Sequence, residues 1–139
     1  MPNACFLDTN LIVYAATGKD EYPHKFEPAV RLLDRDDVCL STQVLQEFYT
    51  VVIRKPAVPL TPAEASAWVD RLATYPCQDF DPRLVRNAIA LSQRFQISYW
   101  DGAIIAAAER LGASTLYSED LNHGQIYGSV RVVNPFKTD

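Results

Sequence analysis

Short apolar runs bounded by polar, turn-forming residues recur along the chain. Runs of three or four mostly apolar residues with such boundaries are typical of the buried strands of a parallel sheet. Segments of this kind lie at residues 4–7, 38–40, 114–117 and 130–133. The sequence therefore predicts four short strands, and the first of them ends directly before Asp8.

Longer segments with helix start and stop signals separate these strands. The predicted helices run from Leu11 to near Gly18, from Pro28 to Asp34, over 43–54, over 62–75, over 82–95 and from Ser98 to Leu111. Thr61-Pro62-Ala63-Glu64 carries the strongest start signal, because it combines a capping Thr, a first-turn Pro and a Glu that completes a capping box. Short strands alternating with helices predict an α/β domain with a largely parallel sheet.

Length and composition fit one globular domain that spans residues 1–139. Hydrophobic residues make up 48% of the chain and charged residues 22%, which excludes a disordered tail, a collagen-like repeat and a coiled coil. No apolar run approaches the ~18 residues that a membrane span needs. The N-terminus also lacks the basic region of a signal peptide. We therefore expect a soluble, cytoplasmic protein that does not bind a membrane.

The cysteines and the net charge restrict the kinds of site and function that the sequence allows. Cys5, Cys39 and Cys77 form no closely spaced pair, so the sequence shows neither a zinc knuckle nor a disulfide framework. A net charge of −4 argues against nucleic-acid binding through a basic surface alone. It does not argue against a nuclease whose acids hold divalent cations, because a bound metal ion reverses the local sign.

Four acids stand at the edges of apolar elements. Asp8 follows the first predicted strand, Asp120 comes three residues after the third, Glu47 lies inside the third predicted helix and Asp101 lies near the start of the last. Ligands of open α/β sheets bind outside the carboxyl ends of the strands, where Asp8 and Asp120 are expected to share one rim. Glu47 and Asp101 can project into the same crevice. Clustered carboxylates repel one another, and a bound divalent cation would relieve that repulsion. Mg²⁺ or Mn²⁺ suits this set of oxygen ligands better than zinc does.

Each acid also has a purely structural interpretation when it is considered alone. Asp8 can cap the following helix, and Ser98 with Asp101 can form a variant of the capping box. Glu47 can lie on an exposed helix face, and Asp120 can belong to a polar turn. The four acids in this order and spacing favour a shared site.

Four segments together resemble the PIN-domain ribonucleases, and among them the small single-domain toxins of bacterial VapBC toxin–antitoxin pairs. They are Phe6-Leu7-Asp8-Thr9-Asn10, Gln46-Glu47-Phe48, Tyr99-Trp100-Asp101-Gly102-Ala103-Ile104 and Leu116-Tyr117-Ser118-Glu119-Asp120-Leu121. The resemblance extends over essentially the whole chain. It implies a three-layer α/β/α sandwich around a mainly parallel sheet. Gly102 stands where Ala is common in this family, and we expect it to weaken the helix start slightly.

The resemblance also implies a metal-dependent endoribonuclease that hydrolyses RNA and leaves a 5′-phosphate and a 3′-hydroxyl. The implied catalytic and metal-binding residues are Asp8, Glu47, Asp101 and Asp120, and the implied supporting residues are Asn10 and Ser118. The implied cofactor is Mg²⁺ or Mn²⁺. The implied partners are an RNA substrate, a cognate VapB-type antitoxin and a second copy of the chain.

Residues outside the acids allow fewer conclusions. Arg83 and Arg86 are three positions apart on one predicted helix, so they share a face that suits phosphate contacts. The same face suits a solvated surface or a partner protein equally well. Trp100 and the other large aromatic residues are interpreted as core or interface residues, since packing and base stacking look alike at the level of sequence.

Two alternative functions stay open on the sequence alone. A non-catalytic module of the same fold would bind RNA or an antitoxin and cleave nothing with any divalent metal. A haloacid-dehalogenase-like phosphatase would use Asp8 as a nucleophile. That class requires a second Asp where Asn10 stands, and trapping of a phosphoenzyme would distinguish it.

Overall fold

The computed structural model describes residues 4–137, which form six helices and six strands. In chain order the elements are β1 (Cys5–Leu7), α1 (Thr9–Glu21), α2 (Pro23–Leu33), β2 (Val38–Ser41), α3 (Thr42–Val52), α4 (Pro62–Leu72), β3 (Cys77–Gln78), α5 (Pro82–Phe95), α6 (Tyr99–Arg110), β4 (Thr115–Tyr117), β5 (Ile126–Tyr127) and β6 (Val130–Val133). The predicted α/β domain with a mainly parallel sheet is confirmed.

The strands form one sheet in the order β3-β2-β1-β4-β6-β5. All neighbours are parallel except β5 and β6, which are antiparallel. The chain first builds β2 and β3 on one side of β1 and then crosses to the other side to form β4. The strand order therefore reverses between β1 and β4, and their carboxyl ends border the crevice where open α/β sheets bind ligands.

Helices cover both faces of the sheet. Right-handed crossovers place α1 to α4 on one face, whereas α5 and α6 return the chain across the opposite face. The packing agrees, because α1 contacts α2 and α3, α3 contacts α4, and α6 lies against β2, β4 and β6. β1 is buried along its whole length, so the two ends of the central strand are fixed by packing on both sides.

Gly102 allows a close approach of two helices. A Cβ at this position would lie 2.6 Å from the backbone carbonyl oxygen of Ala88 in α5. The sequence predicts a small loss of helix stability from this glycine, whereas the structure shows that only a glycine fits here without displacing α5. The contact fixes the first turn of α6, which carries Asp101.

Some boundaries differ from those that the sequence predicts. The second helix begins at Pro23, and Pro28 lies inside it instead of starting it. Both prolines satisfy the rule for a first-turn position, so the pattern does not say which one starts the helix. The strands Cys77–Gln78 and Ile126–Tyr127 are missed, because two residues carry no alternation to detect.

The structure also shows the state of the cysteines and the lengths of the apolar helices. Cys5 and Cys39 are buried, and both are free thiols, in agreement with the absence of a disulfide framework in the sequence. No helix between residues 4 and 137 is long and apolar enough to cross a membrane.

Candidate active site

The four predicted acids line one cleft at the carboxyl ends of β1 and β4. The cleft has a volume of about 190 Å³. Its acidic wall residues are Asp8, Glu47, Asp101 and Asp120. Neither Lys nor Arg is among the described residues that line it. The crevice at the strand reversal is therefore a concentrated negative site.

Asp8 is the buried centre of this site. It is only 7% exposed, at the end of β1, where it caps α1. Its Oδ1 accepts the backbone N–H of Thr9 at 2.7 Å, and its Oδ2 accepts the hydroxyl of Ser118 at 2.8 Å. Burial, together with the smaller effect of the charges of Asp120 and Glu47, nevertheless raises the pKa of Asp8 to about 7 against these two hydrogen bonds. The carboxylate is thus held in place at a position that disfavours its charge.

Ser118 and Asn10 connect Asp8 with Asp120. The Ser118 hydroxyl, which donates to Asp8, also accepts the backbone N–H of Asp120 at 3.1 Å. Asn10 Nδ2 donates to Asp120 Oδ2 at 3.2 Å. Burial raises the pKa of Asp120, and the nearby carboxylates, of which Glu119 is the largest contributor, raise it further. Both polar residues implied by the resemblance therefore contact predicted acids directly.

Glu47 is half-buried and faces the cleft. Its Oε1 accepts the Thr9 hydroxyl at 2.7 Å, and its Oε2 accepts Gln43 Nε2 at 3.3 Å. Sequence reasoning assigns no role to Thr9 or Gln43. A signal for Gln43 does exist, because it precedes Glu47 by four positions and so lies on the same helix face.

Asp101 lies at the first turn of α6. The hydroxyl of Ser98 caps this helix by accepting the backbone N–H of Asp101 at 3.0 Å. Ser98 therefore fills the capping role, and Asp101 lines the cleft. The neighbouring carbonyl of Trp100 accepts Gln43 Nε2 at 3.2 Å, which ties α6 to α3 beside the acids.

The cleft suits a hard divalent cation. Among the described residues that line the cleft, all four charged groups are carboxylates and none is a His or Cys, so oxygen-preferring Mg²⁺ or Mn²⁺ fits better than zinc. The buried Oε1 of Gln43, beside Glu47, has no hydrogen-bond partner among the described residues. Within residues 4–137, no three His, Cys, Asp or Glu side chains are gathered into a ready-made metal cage.

Lys25 forms an ion pair with Glu119, the residue that precedes Asp120. Lys25 Nζ lies 2.8 Å from Glu119 Oε2, and the Tyr14 hydroxyl also donates to that carboxylate. The ammonium also lies 4.9 Å from the centre of the Tyr14 ring and 5.3 Å from that of Phe136. Lys25 lowers the pKa of Asp120 less than burial and the neighbouring carboxylates raise it.

Arg83 and Arg86 are not brought to the acids. Arg83 lines a separate depression between α5 and α6 together with Asp81 and Arg110. Arg86 is exposed on α5 and does not line the cleft. A role of this pair in substrate binding stays a prediction.

Replacing Ser118 by Ala is expected to lower the free energy of unfolding by about 1–3 kcal/mol. The change removes a donor from Asp8 and an acceptor from the Asp120 N–H, in a residue that is fully buried. The hydrogen bond favours the charged form of Asp8, so the loss should be larger at pH 8 than at pH 5. Urea unfolding at both pH values measures it, with the exposed Ser114→Ala as control. An equal loss for both variants would contradict the role of this hydroxyl.

The chain is similar to known proteins in sequence and in fold. A sequence model of the PIN domain family matches residues 5–128. A search of curated proteins found no match.

Solved structures share the fold at low sequence identity. A toxin–antitoxin complex from Klebsiella pneumoniae has a TM-score of 0.71 at 16% identity and covers 97% of this chain and 100% of its own. VapC20 of Mycobacterium tuberculosis, described as a Sarcin-Ricin loop cleaving toxin, has a TM-score of 0.68 at 21% identity, with 84% and 90% covered. DNA-bound VapBC from Salmonella typhimurium has a TM-score of 0.65 at 18% identity, with 94% and 96% covered.

Proposed function

The chain belongs to the PIN domain family, and from this premise we propose that it is a metal-dependent endoribonuclease, the toxin of a VapBC-type toxin–antitoxin pair. The observation that carries the proposal is the cleft at the strand reversal, which gathers four carboxylates and is lined by neither Lys nor Arg among the described residues. An anionic RNA backbone can approach such a cleft only when cations are bound there. The mycobacterial structure described as a Sarcin-Ricin loop cleaving toxin has the same fold and supports the assignment.

We propose that Asp8 and Asp101 hold the ion directly and that Glu47 and Asp120 act partly through water. When bound, Mg²⁺ or Mn²⁺ supplies charge stabilisation at the phosphate and a nucleophilic water of lowered pKa. The chain itself contributes the positions of the carboxylates. Asp8 is fixed by two donors before any ion arrives, which keeps its oxygens at the end of β1.

The remaining contacts orient the other two acids. Thr9 and Gln43 each donate to one oxygen of Glu47, so this carboxylate is directed along the cleft wall. Asn10 directs Asp120 in the same way. Glu47 and Asp120 then serve to orient a water molecule or to hold the proton that it loses.

The proposed partner is an antitoxin of the VapB type. The structures from Klebsiella pneumoniae and Salmonella typhimurium are a toxin–antitoxin complex and a DNA-bound VapBC, respectively. An apolar groove between α3 and α4, lined by Leu45, Tyr49 and Val69, offers a surface for such a partner or for a second copy of the chain.

Incubation of the purified chain with structured and unstructured RNAs tests the enzymatic proposal. Each RNA is incubated with Mg²⁺, with Mn²⁺ and with EDTA. We expect cleavage with either metal and none with EDTA, and 5′-phosphate and 3′-hydroxyl ends on the products.

The same samples distinguish the two alternative functions. Binding of RNA without cleavage under either metal would favour the non-catalytic module. Hydrolysis of p-nitrophenyl phosphate with a trapped aspartyl-phosphate would favour the phosphatase. Absence of metal binding by calorimetry would contradict the four-acid site itself.

A further inference from the structure

A second cavity of about 400 Å³ adjoins the acidic cleft. The two cavities share Gln43 and Trp100 as a common wall. The second cavity lies between the first turns of α3 and α6 and extends to Phe80. We refer to it as the side cavity. Its volume is within the range of sites that bind small organic groups.

Trp100 gives the side cavity its most unusual feature. Its side chain is expected from the sequence to lie in the core or an interface, yet the residue is 63% exposed. The ring makes an edge-to-face contact with Tyr99, with 5.0 Å between the ring centres and 80° between the planes. A large aromatic ring is therefore held at the border of the cleft while most of its surface faces solvent. It directly precedes the candidate catalytic Asp101.

The remaining wall combines aromatic and neutral polar groups. Phe80 and Tyr99 supply further ring surface, whereas Thr42 and Gln46 supply hydroxyl and carboxamide groups. Asp79 is the single charged residue among the lining residues, which include neither Lys nor Arg. The buried Oε1 of Gln43 is an acceptor that lacks a donor among the described residues. Rings for stacking beside donors and acceptors for edge contacts are the means by which proteins recognise unpaired bases.

We propose that the side cavity binds an unpaired nucleobase next to the scissile phosphate, with Trp100 as its stacking surface. The inference rests on the proposed ribonuclease function, because it requires an RNA strand held at the four acids to continue past the shared wall of Gln43 and Trp100. The base is the part of the nucleotide that fits, since Asp79 and the acids of the cleft repel phosphate and no lining cation attracts it. Bases are uncharged, so the negative charge of Asp79 and of the cleft acids does not prevent them from stacking on aromatic rings.

Fluorescence of Trp100 measures the stacking directly. The chain has two tryptophans, so Trp68→Phe leaves Trp100 as the single reporter. Trp68 lines neither cavity, and its ring packs on Phe48. A Phe at position 68 keeps an aromatic ring in this contact. Stopped-flow mixing with eight-nucleotide oligoadenylate or oligouridylate in Mg²⁺ reads the signal before cleavage. We expect saturable quenching by both oligomers, stronger for adenylate, and none by an abasic ribose-phosphate octamer.

Cleavage kinetics provide the second measurement. Trp100→Ala should raise KM by about 5- to 150-fold, the range for loss of one base stack, with kcat changed by less than about three-fold and Mg²⁺ affinity unchanged. Trp100→Phe should retain most of the affinity, because it keeps a ring. Ile126→Ala, at a residue that is 53% exposed and lines neither cavity, is the matched control. Circular dichroism confirms that each variant is folded.

The outcomes separate this inference from the proposed function. Cleavage by the wild-type chain with an unchanged KM for Trp100→Ala would overturn the base site and leave the ribonuclease intact. Equal quenching by the abasic octamer would overturn it as well, and so would a Trp100 signal that responds to a purified antitoxin but to no oligonucleotide. Base-dependent quenching without any cleavage would support the side cavity and contradict the enzyme.

Discussion

Replacing Asp101 by Asn is expected to reduce RNA cleavage by at least about 100-fold without unfolding the protein. The substitution keeps the shape of the side chain and removes one negative charge from the cleft. The cap of α6 comes from the Ser98 hydroxyl and the backbone of residue 101, so the helix start does not depend on the lost charge. The effect should therefore fall on the proposed metal site and its chemistry.

Initial rates with an RNA that the wild-type chain cleaves measure the loss, and calorimetry with Mg²⁺ shows whether metal affinity falls with it. Asp70→Asn is the matched control, because Asp70 is an exposed acid on α4 outside the cleft. It makes the same chemical change and should leave both quantities unchanged. Cleavage by Asp101→Asn at more than about a tenth of the wild-type rate would remove Asp101 from the mechanism.

The sequence predicts the sheet and the place of the acids because these depend on strong, local signals. β1 is a continuous apolar run, β6 is apolar at three of its four positions, and α4 and α5 begin at first-turn prolines behind side-chain caps. The carboxyl ends of β1 and β4 meet because both strands are parallel neighbours in the sheet. Asp8 and Asp120 follow those ends, so topology alone brings them near each other.

The contacts within the site are harder to predict, because they depend on side-chain directions across different elements. Thr9 has no role that the sequence reveals, yet its hydroxyl donates to Glu47, 38 positions away. Trp100 is interpreted as a core or interface residue, because nothing in a single sequence distinguishes a buried ring from one at the border of a cleft. Gly102 looks like a weak helix residue until the distance to Ala88 is known.

Asp8 is the residue at which function and stability are expected to oppose each other. Its folded pKa of about 7 lies well above the ordinary value of 3.8, mainly because of burial. The folded chain thus binds the Asp8 proton more tightly than the unfolded chain does. Its stability in the absence of metal should decrease as the pH rises from about 4 to about 7.

Replacing Asp8 by Asn should therefore abolish cleavage and also stabilise the metal-free protein. A shift of about three pKa units corresponds to roughly 4 kcal/mol, and we expect about 1–3 kcal/mol at pH 8, since a buried amide also loses hydration. The introduced carboxamide keeps an oxygen for the Thr9 N–H and offers its NH₂ group to the Ser118 oxygen, although the Ser118 hydroxyl hydrogen then loses its present acceptor, which also reduces the gain. The gain should become small near pH 4, where the carboxyl of the wild-type chain is protonated in the folded state and partly protonated in the unfolded state.

Thermal melts in EDTA at pH 4, 6 and 8 measure this dependence, with Asp70→Asn as the control that should show none of it. A rise in melting temperature by several degrees at pH 8 and little change at pH 4 is the expected pattern. Added Mg²⁺ should then stabilise the wild-type chain more than Asp8→Asn, because only the wild-type site retains the proposed central ligand. A variant that is less stable than the wild-type chain at pH 8 in EDTA would contradict this expectation. It would show that the hydrogen bonds to the Asp8 carboxylate stabilise the folded chain by more than the burial of its charge destabilises it. An unchanged response to Mg²⁺ would place the ion elsewhere.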